Sequence, residues 1–387
     1  MQRLSVEHYM VHHYPQIEYF PQVAKTLLFS GMKKLFHEHQ INTFMAENAH
    51  KDTFSFIEAI IDYFEVTIGL KKDEMSRIPS YGRTVIISNH PLGVLDALAL
   101  VDLLKDVRKD IKIVANSFLG RFENLKDILI PVDNVNGKMD KAALGSIYQA
   151  LEEEKAVIIF PSGEVSRARP NGVKDTRWKS GFLKIATRMK APILPIYIKA
   201  KNSKSFYMLS MLNRSIATAT LPHEMFKGRR KHIEFTIGKS IPYASYHLPI
   251  PNSDKIKLLR KHFYKIAKNK KEIFKTENPI SMSEIPSEIK RELKHGTQLG
   301  QTLDGKRILL YESAQENCVI KEIGRLREIS FRFVGEGSGK KRDIDEFDFY
   351  YKHLIIWDDE ALEIAGAYRL GLSGEIIEDF DMEGLYT

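Results

Sequence analysis

The residues of this sequence best suited to chemistry are His90 and Asp96, which are separated by five residues. A neutral imidazole can take a proton from a hydroxyl group, and a nearby carboxylate can orient the ring and stabilise the imidazolium. The apolar residues 85–87 predict a short buried strand before the histidine, and Pro91 and Gly93 predict a turn before a helix. The pair is therefore a candidate general base with its orienting acid, or alternatively a helix cap in an ordinary strand-to-helix turn.

A second polar stretch follows the buried strand predicted at residues 156–160. The acceptor turn, as we call residues 161–167, has the sequence Pro-Ser-Gly-Glu-Val-Ser-Arg, and Arg169 follows it closely. A glycine lets the backbone approach a ligand, and arginine binds phosphate or carboxylate groups through paired hydrogen bonds. We expect this turn to bind a substrate head group, with a solvated surface turn as the alternative.

A third stretch, residues 191–196, has the sequence Ala-Pro-Ile-Leu-Pro-Ile. In this order, the Asn89-His90 motif with Asp96, the acceptor turn and residues 191–196 resemble the glycerolipid acyltransferase superfamily. Its best-known members acylate lysophosphatidic acid and carry Asn-His-x4-Asp, Phe-Pro-Glu-Gly-Thr-Arg and an apolar stretch with Val-Pro. The resemblance covers roughly residues 80–240 and implies acyl transfer from a thioester.

This sequence differs from the commoner family pattern at two points, and both differences favour one branch of the superfamily. The spacer between His90 and Asp96 is one residue longer than in the commoner pattern, and Ser162 stands where the family usually has glutamate. Both features are similar to a branch of hemolysin-like and ornithine- or glycine-lipid acyltransferases. These differences bear on which acyl acceptor is used more than on the acyl-transfer reaction itself.

The residues and the resemblance together assign roles in an acyl transfer. His90 is expected to be the general base and Asp96 its partner. Glu164 would either orient the arginines or bind an ammonium group of the acceptor. No metal is expected, and no cofactor beyond acyl-ACP or acyl-CoA as co-substrate. The residues expected to bind substrate are Ser162, Gly163, Glu164, Arg167, Arg169, Asn116 and Lys179.

The expected reaction needs no covalent acyl-enzyme. Neutral His90 takes the proton of the acceptor hydroxyl, whose oxygen attacks the thioester carbonyl. Free backbone N–H groups in the turn before the helix are expected to bind the resulting oxyanion. The sequence contains no Gly-x-Ser-x-Gly motif, which argues against an α/β-hydrolase.

Apolar runs and helical patterns alternate from Arg83 to about Gly238, which predicts an α/β domain with a mostly parallel sheet flanked by helices. Reactive groups in such sheets gather at the carboxyl ends of the strands. The predicted strands span 84–88, 111–115, 128–132, 156–160, 193–199 and 232–237, and the predicted helices span 95–106, 139–153 and 179–189.

Four regions are predicted along the chain: an N-terminal helical segment at 1–75, the acyltransferase domain at 76–245, a basic helix and linker at 246–300, and a partial domain at 301–387. Apolar residues recur at helical spacing between Phe20 and Leu35. This helix either lies in a membrane interface or packs on the domain core.

The C-terminal stretch from 319 to 371 resembles the start of the N-acyltransferases that make ornithine and glycine lipids and share a GNAT-like α+β fold. The resemblance rests on Glu-Ile-Gly-Arg-Leu-Arg at 322–327, Gly-Glu-Gly at 335–337 and Gly-Ala-Tyr-Arg-Leu at 366–370. Few residues follow this stretch, so we expect a partial domain with an unpaired sheet edge that is a poor enzyme alone. A small appendage without catalytic ancestry is the alternative.

Charge is distributed unevenly along the chain, whose net charge is +8. Residues 199–275 hold 18 Lys and Arg against 4 Asp and Glu, whereas residues 343–387 hold 2 against 13. The basic segment favours an anionic partner, either a phospholipid membrane or an acidic carrier protein. Nucleic acid is unlikely as a partner because no binding motif accompanies the charge, and a solvated surface is the remaining alternative.

No apolar run approaches the ~20 residues that span a bilayer, no secretory signal opens the chain, and the single Cys318 fits a reducing compartment. We therefore expect a cytoplasmic O-acyltransferase, peripheral on the inner face of the cell membrane. Its acceptor would be a lyso-lipid, either lysophosphatidate or a lyso-ornithine or lyso-glycine lipid. The alternative is a non-catalytic lipid- or membrane-binding protein in which His90 has no role.

Overall fold

The computed structural model of the chain describes residues 4–132, 140–169, 172–227 and 229–386. The chain divides into two compact units, of which the first ends at Thr276 and the second begins at Glu277. No helix within the described ranges is long and apolar enough to cross a membrane.

The first unit combines a large sheet, a short hairpin and helices. Its strands are β1 (Thr67–Gly69), β2 (Thr84–Ser88), β3 (Ile111–Asn116), β4 (Leu129–Val132), β5 (Ala156–Ile159), β6 (Arg167–Arg169), β7 (Gly172–Lys174), β8 (Ile193–Lys199) and β9 (His232–Ile237). Its helices are α1 (Val6–His13), α2 (Gln22–Leu35), α3 (Glu38–Glu47), α4 (Thr53–Tyr63), α5 (Val94–Leu104), α6 (Lys141–Glu152), α7 (Gly181–Arg188), α8 (Lys204–Leu212), α9 (Arg214–Ala219), α10 (Leu221–Lys227), α11 (Tyr243–Tyr246) and α12 (Asn252–Ile266).

The large sheet has seven strands in the order β1-β9-β8-β2-β5-β3-β4. All neighbouring pairs are parallel except β8 and β9, which are antiparallel. The predicted α/β class with a mostly parallel sheet is confirmed. The six predicted strands and three predicted helices are present with ends that differ by at most two residues, although residue 139 of one predicted helix lies outside the described ranges. Strand β1 and the β6–β7 hairpin are present in addition to the predicted strands.

Apolar side chains cover both faces of this sheet. Ile86 of β2 belongs to a core that includes α4 and α5, whereas its neighbours Val85 and Ile87 belong to a second core with α6, α7 and α12. Successive residues of a strand point to opposite faces, so β2 is buried on both sides and reads as a continuous apolar run. The basic helix predicted within 246–300 is α12, and its buried Leu259 and Phe263 place it in this second core.

The N-terminal segment is helical, as the sequence predicts. The apolar stripe predicted on α2 is only partly buried, because Leu28 and Leu35 are half-buried whereas Val23 and Leu27 are 73% and 70% exposed. Packing on the domain core therefore does not account for the whole stripe.

The second unit contains an antiparallel sheet in the order β10-β11-β12-β13, so β13 forms an edge. The core includes Trp357 and Ile355 of the sheet and Val319 of its long helix. Its elements are α13 (Pro286–Glu292), β10 (Thr297–Gln301), β11 (Arg307–Tyr311), α14 (Cys318–Phe333), β12 (Lys352–Asp358), β13 (Glu363–Leu370) and α15 (Ser373–Phe380).

Candidate active site

The carboxyl ends of β2 and β5 lie side by side, because the two strands are parallel neighbours with Ile87 opposite Ile159. His90 follows the end of β2 by two positions, and the acceptor turn begins after Phe160. The N–H group of Ser166 donates a hydrogen bond of 2.7 Å to the main-chain carbonyl of His90. The structure thus brings the two polar segments into direct contact.

Polar side chains hold the end of β2 against β8. The hydroxyl of Ser88 donates to the carbonyl of Ile196 at 2.7 Å. The amide of Asn89 bonds both main-chain groups of Ile198, donating to the carbonyl at 2.8 Å and accepting from the N–H at 2.7 Å. The Asn89 side chain thereby makes the two hydrogen bonds that a neighbouring strand would make with Ile198. These bonds fix the main chain just before His90.

His90 and Asp96 form a directed pair. Nδ1 of His90 lies 2.8 Å from Oδ1 of Asp96, whose side chain is fully buried, whereas 19% of the His90 side chain is exposed. The ring of Phe160 packs against the imidazole with centroids 4.1 Å apart. An ionised carboxylate accepts a hydrogen bond from Nδ1–H and so selects the tautomer whose lone pair is on Nε2. Among the described residues none hydrogen-bonds Nε2, so this nitrogen can accept a substrate proton.

The turn before α5 does not supply the free N–H groups expected for an oxyanion. Oδ2 of Asp96 accepts from the N–H of Leu92 at 2.6 Å and from that of Gly93 at 3.3 Å. The expectation was wrong because Asp96 caps the start of α5 in addition to orienting the imidazole, so the N–H groups of Leu92 and Gly93 are already bonded.

The surroundings of His90 raise the pKa of its imidazole above the ordinary 6.5. Burial is the largest single influence and lowers this pKa, but the charge and hydrogen bond of Asp96, together with the charge of Asp175, outweigh it. The neutral form that can act as a base is therefore lost as the pH falls through this raised pKa.

The acceptor turn is fixed by internal bonds and by the segment before α7. The Ser162 hydroxyl donates to the carbonyl of Glu164 at 2.7 Å. Gly163 has a φ of +67°, which residues with a side chain rarely adopt. A Cβ atom there would approach Nζ of Lys179 to 3.2 Å, so the exposed Lys179 lies over this glycine. The N–H of Lys179 also donates to the carbonyl of Pro161 at 2.8 Å.

The two predicted arginine ligands have different environments. Arg167 is 5% exposed, its Nη2 donates to the Thr218 hydroxyl at 2.9 Å, and its guanidinium lies 5.5 Å from the centroid of the Phe206 ring. Oε2 of Glu164 lies 3.9 Å from the same Nη2, so Glu164 is placed to orient Arg167. Arg169 is exposed on the hairpin of β6 and β7.

Asn116 is exposed at the carboxyl end of β3. Since β5 lies between β3 and β2, Asn116 is at the same edge of the sheet as His90 but one strand further away. Close contacts link five of the seven predicted substrate-binding residues, namely Ser162, Gly163, Glu164, Arg167 and Lys179.

A buried carboxylate outside the predicted site residues, that of Asp175, adjoins this site. It is 1% exposed, and its carboxylate bonds Ser166, Trp178 and the N–H of His90. Burial is the largest influence on the pKa of Asp175 and raises it, although the hydrogen bonds oppose this. The only sequence signal was an aspartate three positions before Trp178, because its partner His90 is 85 residues away.

A groove of about 860 Å³ lies at the opposite edge of the sheet, where the strands begin. Ile111 starts β3, and Ile128 and Lys155 precede β4 and β5 in its lining. None of the predicted site residues lines this groove. The contacts around His90, and not the groove, therefore define the candidate active site.

Two protein families match this chain. The acyltransferase family model matches residues 17–272, which include the His90 pair and the acceptor turn. The model of the acetyltransferase (GNAT) domain matches residues 326–387. Both resemblances inferred from the sequence are thereby confirmed, and the match favours an enzyme over the non-catalytic alternative.

Individual proteins are similar to parts of this chain. A lyso-glycine lipid O-acyltransferase from Bacteroides thetaiotaomicron is 29% identical over 238 residues, covering 60% of this chain and 85% of the relative. A glycine N(alpha)-acyltransferase from Phocaeicola vulgatus is 54% identical over 69 residues, which are 17% of this chain and 21% of the relative. The crystal structure of the lysophosphatidic acid acyltransferase PlsC from Thermotoga maritima aligns with a TM-score of 0.36 and 14% identity, covering 65% of this chain and 99% of that one. Because the matched family model spans well over half of the sequence, this chain belongs to the acyltransferase family.

Proposed function

We propose that this acyltransferase moves a fatty acyl group from a thioester to the hydroxyl of a lyso-lipid, with His90 as general base and Asp96 as its partner. One observation carries the proposal: the buried carboxylate of Asp96 lies 2.8 Å from Nδ1 of His90, which leaves Nε2 available to a substrate. This is the arrangement that general-base activation of a hydroxyl requires.

The proposed proton path uses one nitrogen twice. Nε2 of His90 takes the proton of the acceptor hydroxyl while the hydroxyl oxygen attacks the thioester carbonyl. The C–S bond then breaks, and the leaving thiolate takes the proton back from Nε2. Asp96 stabilises the imidazolium between the two steps, and no covalent acyl-enzyme or further cofactor is needed.

The acceptor turn and its neighbours are the proposed binding site for the acceptor. Gly163 allows close backbone approach, and Arg167 and Lys179 supply positive charge for a phosphate or carboxylate group. The wider set comprises Ser162, Gly163, Glu164, Arg167, Arg169, Asn116 and Lys179.

A lyso-glycine lipid is the proposed acceptor. Two relatives are named lyso-glycine lipid O-acyltransferases, and they are 29% and 27% identical to this chain. Lysophosphatidate and lyso-ornithine lipid are the competing acceptors. The free carboxylate of a glycine head group would suit the cationic side chains at the acceptor turn.

We propose acyl-ACP or acyl-CoA as the donor and the inner face of an anionic membrane as the place of action. The exposed apolar side chains of α2, Val23 and Leu27, are a second feature of the first unit that suits a membrane interface. Basic residues near an anionic surface contribute up to ~1 kcal/mol each. The exposed basic residues within 199–275 are Lys199, Lys201, Lys204, Lys227, Arg229, Arg230, Lys257, Lys261, Lys268, Lys270, Lys271 and Lys275.

The experiment that tests this function is an acylation assay with the purified full chain. Lyso-glycine lipid, lyso-ornithine lipid and lysophosphatidate are each offered with acyl-ACP or acyl-CoA, and products are identified by mass spectrometry. We expect a diacylated product from lyso-glycine lipid that disappears with His90→Ala. The proposal would be contradicted if none of the three lyso-lipids gave a product. Product formation that His90→Ala does not reduce would contradict it as well.

A further inference from the structure

We propose that Asp175 is a positioning residue for this reaction, whose carboxylate fixes the main chain of His90 against the acceptor turn. The inference rests on the proposed function, because it takes His90 to be the base. Two carboxylates then bind His90 at different points. Asp96 orients the imidazole ring, and Asp175 fixes the position of the main chain.

Three donors from three segments converge on the Asp175 carboxylate. Oδ1 accepts from the N–H of His90 at 3.3 Å and from the Ser166 hydroxyl at 2.6 Å, and Oδ2 accepts from Nε1 of Trp178 at 3.0 Å. Buried polar groups need such partners, and a network that is fully satisfied fixes one arrangement of its members. The turn of His90, the acceptor turn and the segment before α7 are thereby joined at one carboxylate.

The main chain of Asp175 is in turn held from α12. Its N–H donates to the Tyr264 hydroxyl at 3.0 Å, and its carbonyl accepts from Nη2 of Arg260 at 2.7 Å. The charge of Asp175 also contributes to the raised pKa of Tyr197 on β8, which burial mainly causes. The titratable and charged groups around Asp175 are therefore His90, Tyr197, Arg260 and Tyr264.

Loss of this carboxylate should slow the chemical step without weakening substrate binding. A displacement of about 1 Å between a base and its substrate can cost about 100-fold in rate. Asp175 also raises the pKa of His90 through its charge. A variant without that charge should therefore lose activity at a lower pH than the unchanged protein, which a purely structural role would not produce.

Asp175→Asn in the full chain is the test. Asparagine has the same shape, but its amide nitrogen must face either the Nε1–H of Trp178 or the N–H of His90, so one of these two donors loses its acceptor. We expect kcat to fall about 10- to 100-fold with both KM values little changed, and the acidic limb of the pH–rate profile to move to lower pH. Asp254→Asn, which removes a carboxylate paired with Lys257 on α12, is the matched control and should leave kcat and the profile unchanged.

Ser166→Ala is a milder second variant that decides the matter if Asp175→Asn does not fold. It removes one neutral hydrogen bond to the carboxylate, so kcat should fall about two- to tenfold. Folded Asp175→Asn and Ser166→Ala proteins with unchanged kcat and an unmoved acidic limb would overturn the inference. His90→Ala in the same assay separates the two proposals, because an active His90→Ala protein refutes the proposed function itself.

Discussion

Each of the two units contains a histidine that is largely buried beside an aspartate, and their surroundings are opposite. His90 keeps 19% of its side chain exposed and has a raised pKa, because the charge of Asp96 outweighs burial. His353 is fully buried, its Nε2 bonds the carbonyl of Asp348 at 3.0 Å, and burial lowers its pKa. A histidine becomes a candidate base when a carboxylate holds one nitrogen and the other remains open to substrate.

The charged side chains of the two units also differ in whether a substrate can reach them. In the second unit Arg327 lies 2.8 Å and Arg369 3.2 Å from the Asp348 carboxylate, which is 2% exposed. In the first unit Lys179 and Arg169 are exposed next to the acceptor turn. The second unit uses these charges to hold its fold, whereas the first unit presents charge where a substrate can reach it.

The largest effect is expected from His90→Ala. Loss of a general base typically lowers turnover ~10² to 10⁴-fold. His90 stands in a turn at the end of β2, so the fold should persist, which circular dichroism and thermal melting can check. Near-normal turnover by the folded variant would remove His90 from the mechanism.

A smaller effect is expected from Asp96→Asn. The variant loses a charge-assisted hydrogen bond worth ~1.5–3 kcal/mol, which corresponds to about a 10- to 150-fold loss of kcat/KM. Without the Asp96 charge the pKa of His90 falls, so the acidic limb of the pH–rate profile should move to lower pH. An acidic limb that stays in place, measured with saturating donor, would show that it does not report His90.

Arg167→Ala should act on binding more than on chemistry. An arginine that binds the head group does so in the ground state and transition state alike, so the acceptor KM should rise about 10-fold while kcat changes little. Arg167→Lys keeps the charge without the paired hydrogen bonds and should rescue only in part. The exposed Arg291 on α13 of the second unit, which has no part in the proposed site, provides the control, Arg291→Ala. An unchanged acceptor KM would place the head group elsewhere.

Much of this site could be predicted because its residues follow apolar strands in short motifs. The bounds of the strand that ends at Ser88 agree with the prediction, and His90 follows that end by two positions. The role of Asp175 and the pairing of Asn89 with Ile198 could not be predicted, because both depend on contacts between distant parts of the chain. Asp175 lies 85 positions after His90, and Ile198 lies 109 positions after Asn89. The hairpin of β6 and β7 was missed because three-residue strands leave too short a pattern to recognise.

Binding of the protein to anionic membranes should weaken as salt rises, and this binding should not affect the rate of the chemical step. The basic surface within 199–275 should bind anionic vesicles at low ionic strength and release them as salt screens the charges. Co-sedimentation at low and high salt measures this. The triple variant Lys268→Glu, Lys270→Glu and Lys271→Glu should bind less. The triple variant Lys72→Glu, Lys141→Glu and Lys184→Glu changes the net charge equally at exposed positions outside that segment and is the matched control. Equal binding to neutral and anionic vesicles would contradict a charge-driven interaction.

The smallest effect on turnover is expected from His353→Ala, which probes the other half of the comparison. Removing this buried ring leaves the carbonyl of Asp348 without its partner, so unfolding should become easier by about 1–3 kcal/mol. Turnover per folded molecule should not change. A turnover loss as large as that of His90→Ala would show that the two histidines do not differ as proposed.

Chemical rescue of His90→Gly by free imidazole tests the central claim most directly. The variant removes the base and leaves a space beside the Phe160 ring, which packs against the imidazole at a tilt of 31° with centroids 4.1 Å apart. If Nε2 of His90 accepts the hydroxyl proton, added imidazole should restore part of the lost turnover, and the restored rate should follow the neutral fraction of the imidazole as pH is varied. A folded His90→Gly protein that turns over at the unchanged rate and does not respond to imidazole would contradict the account.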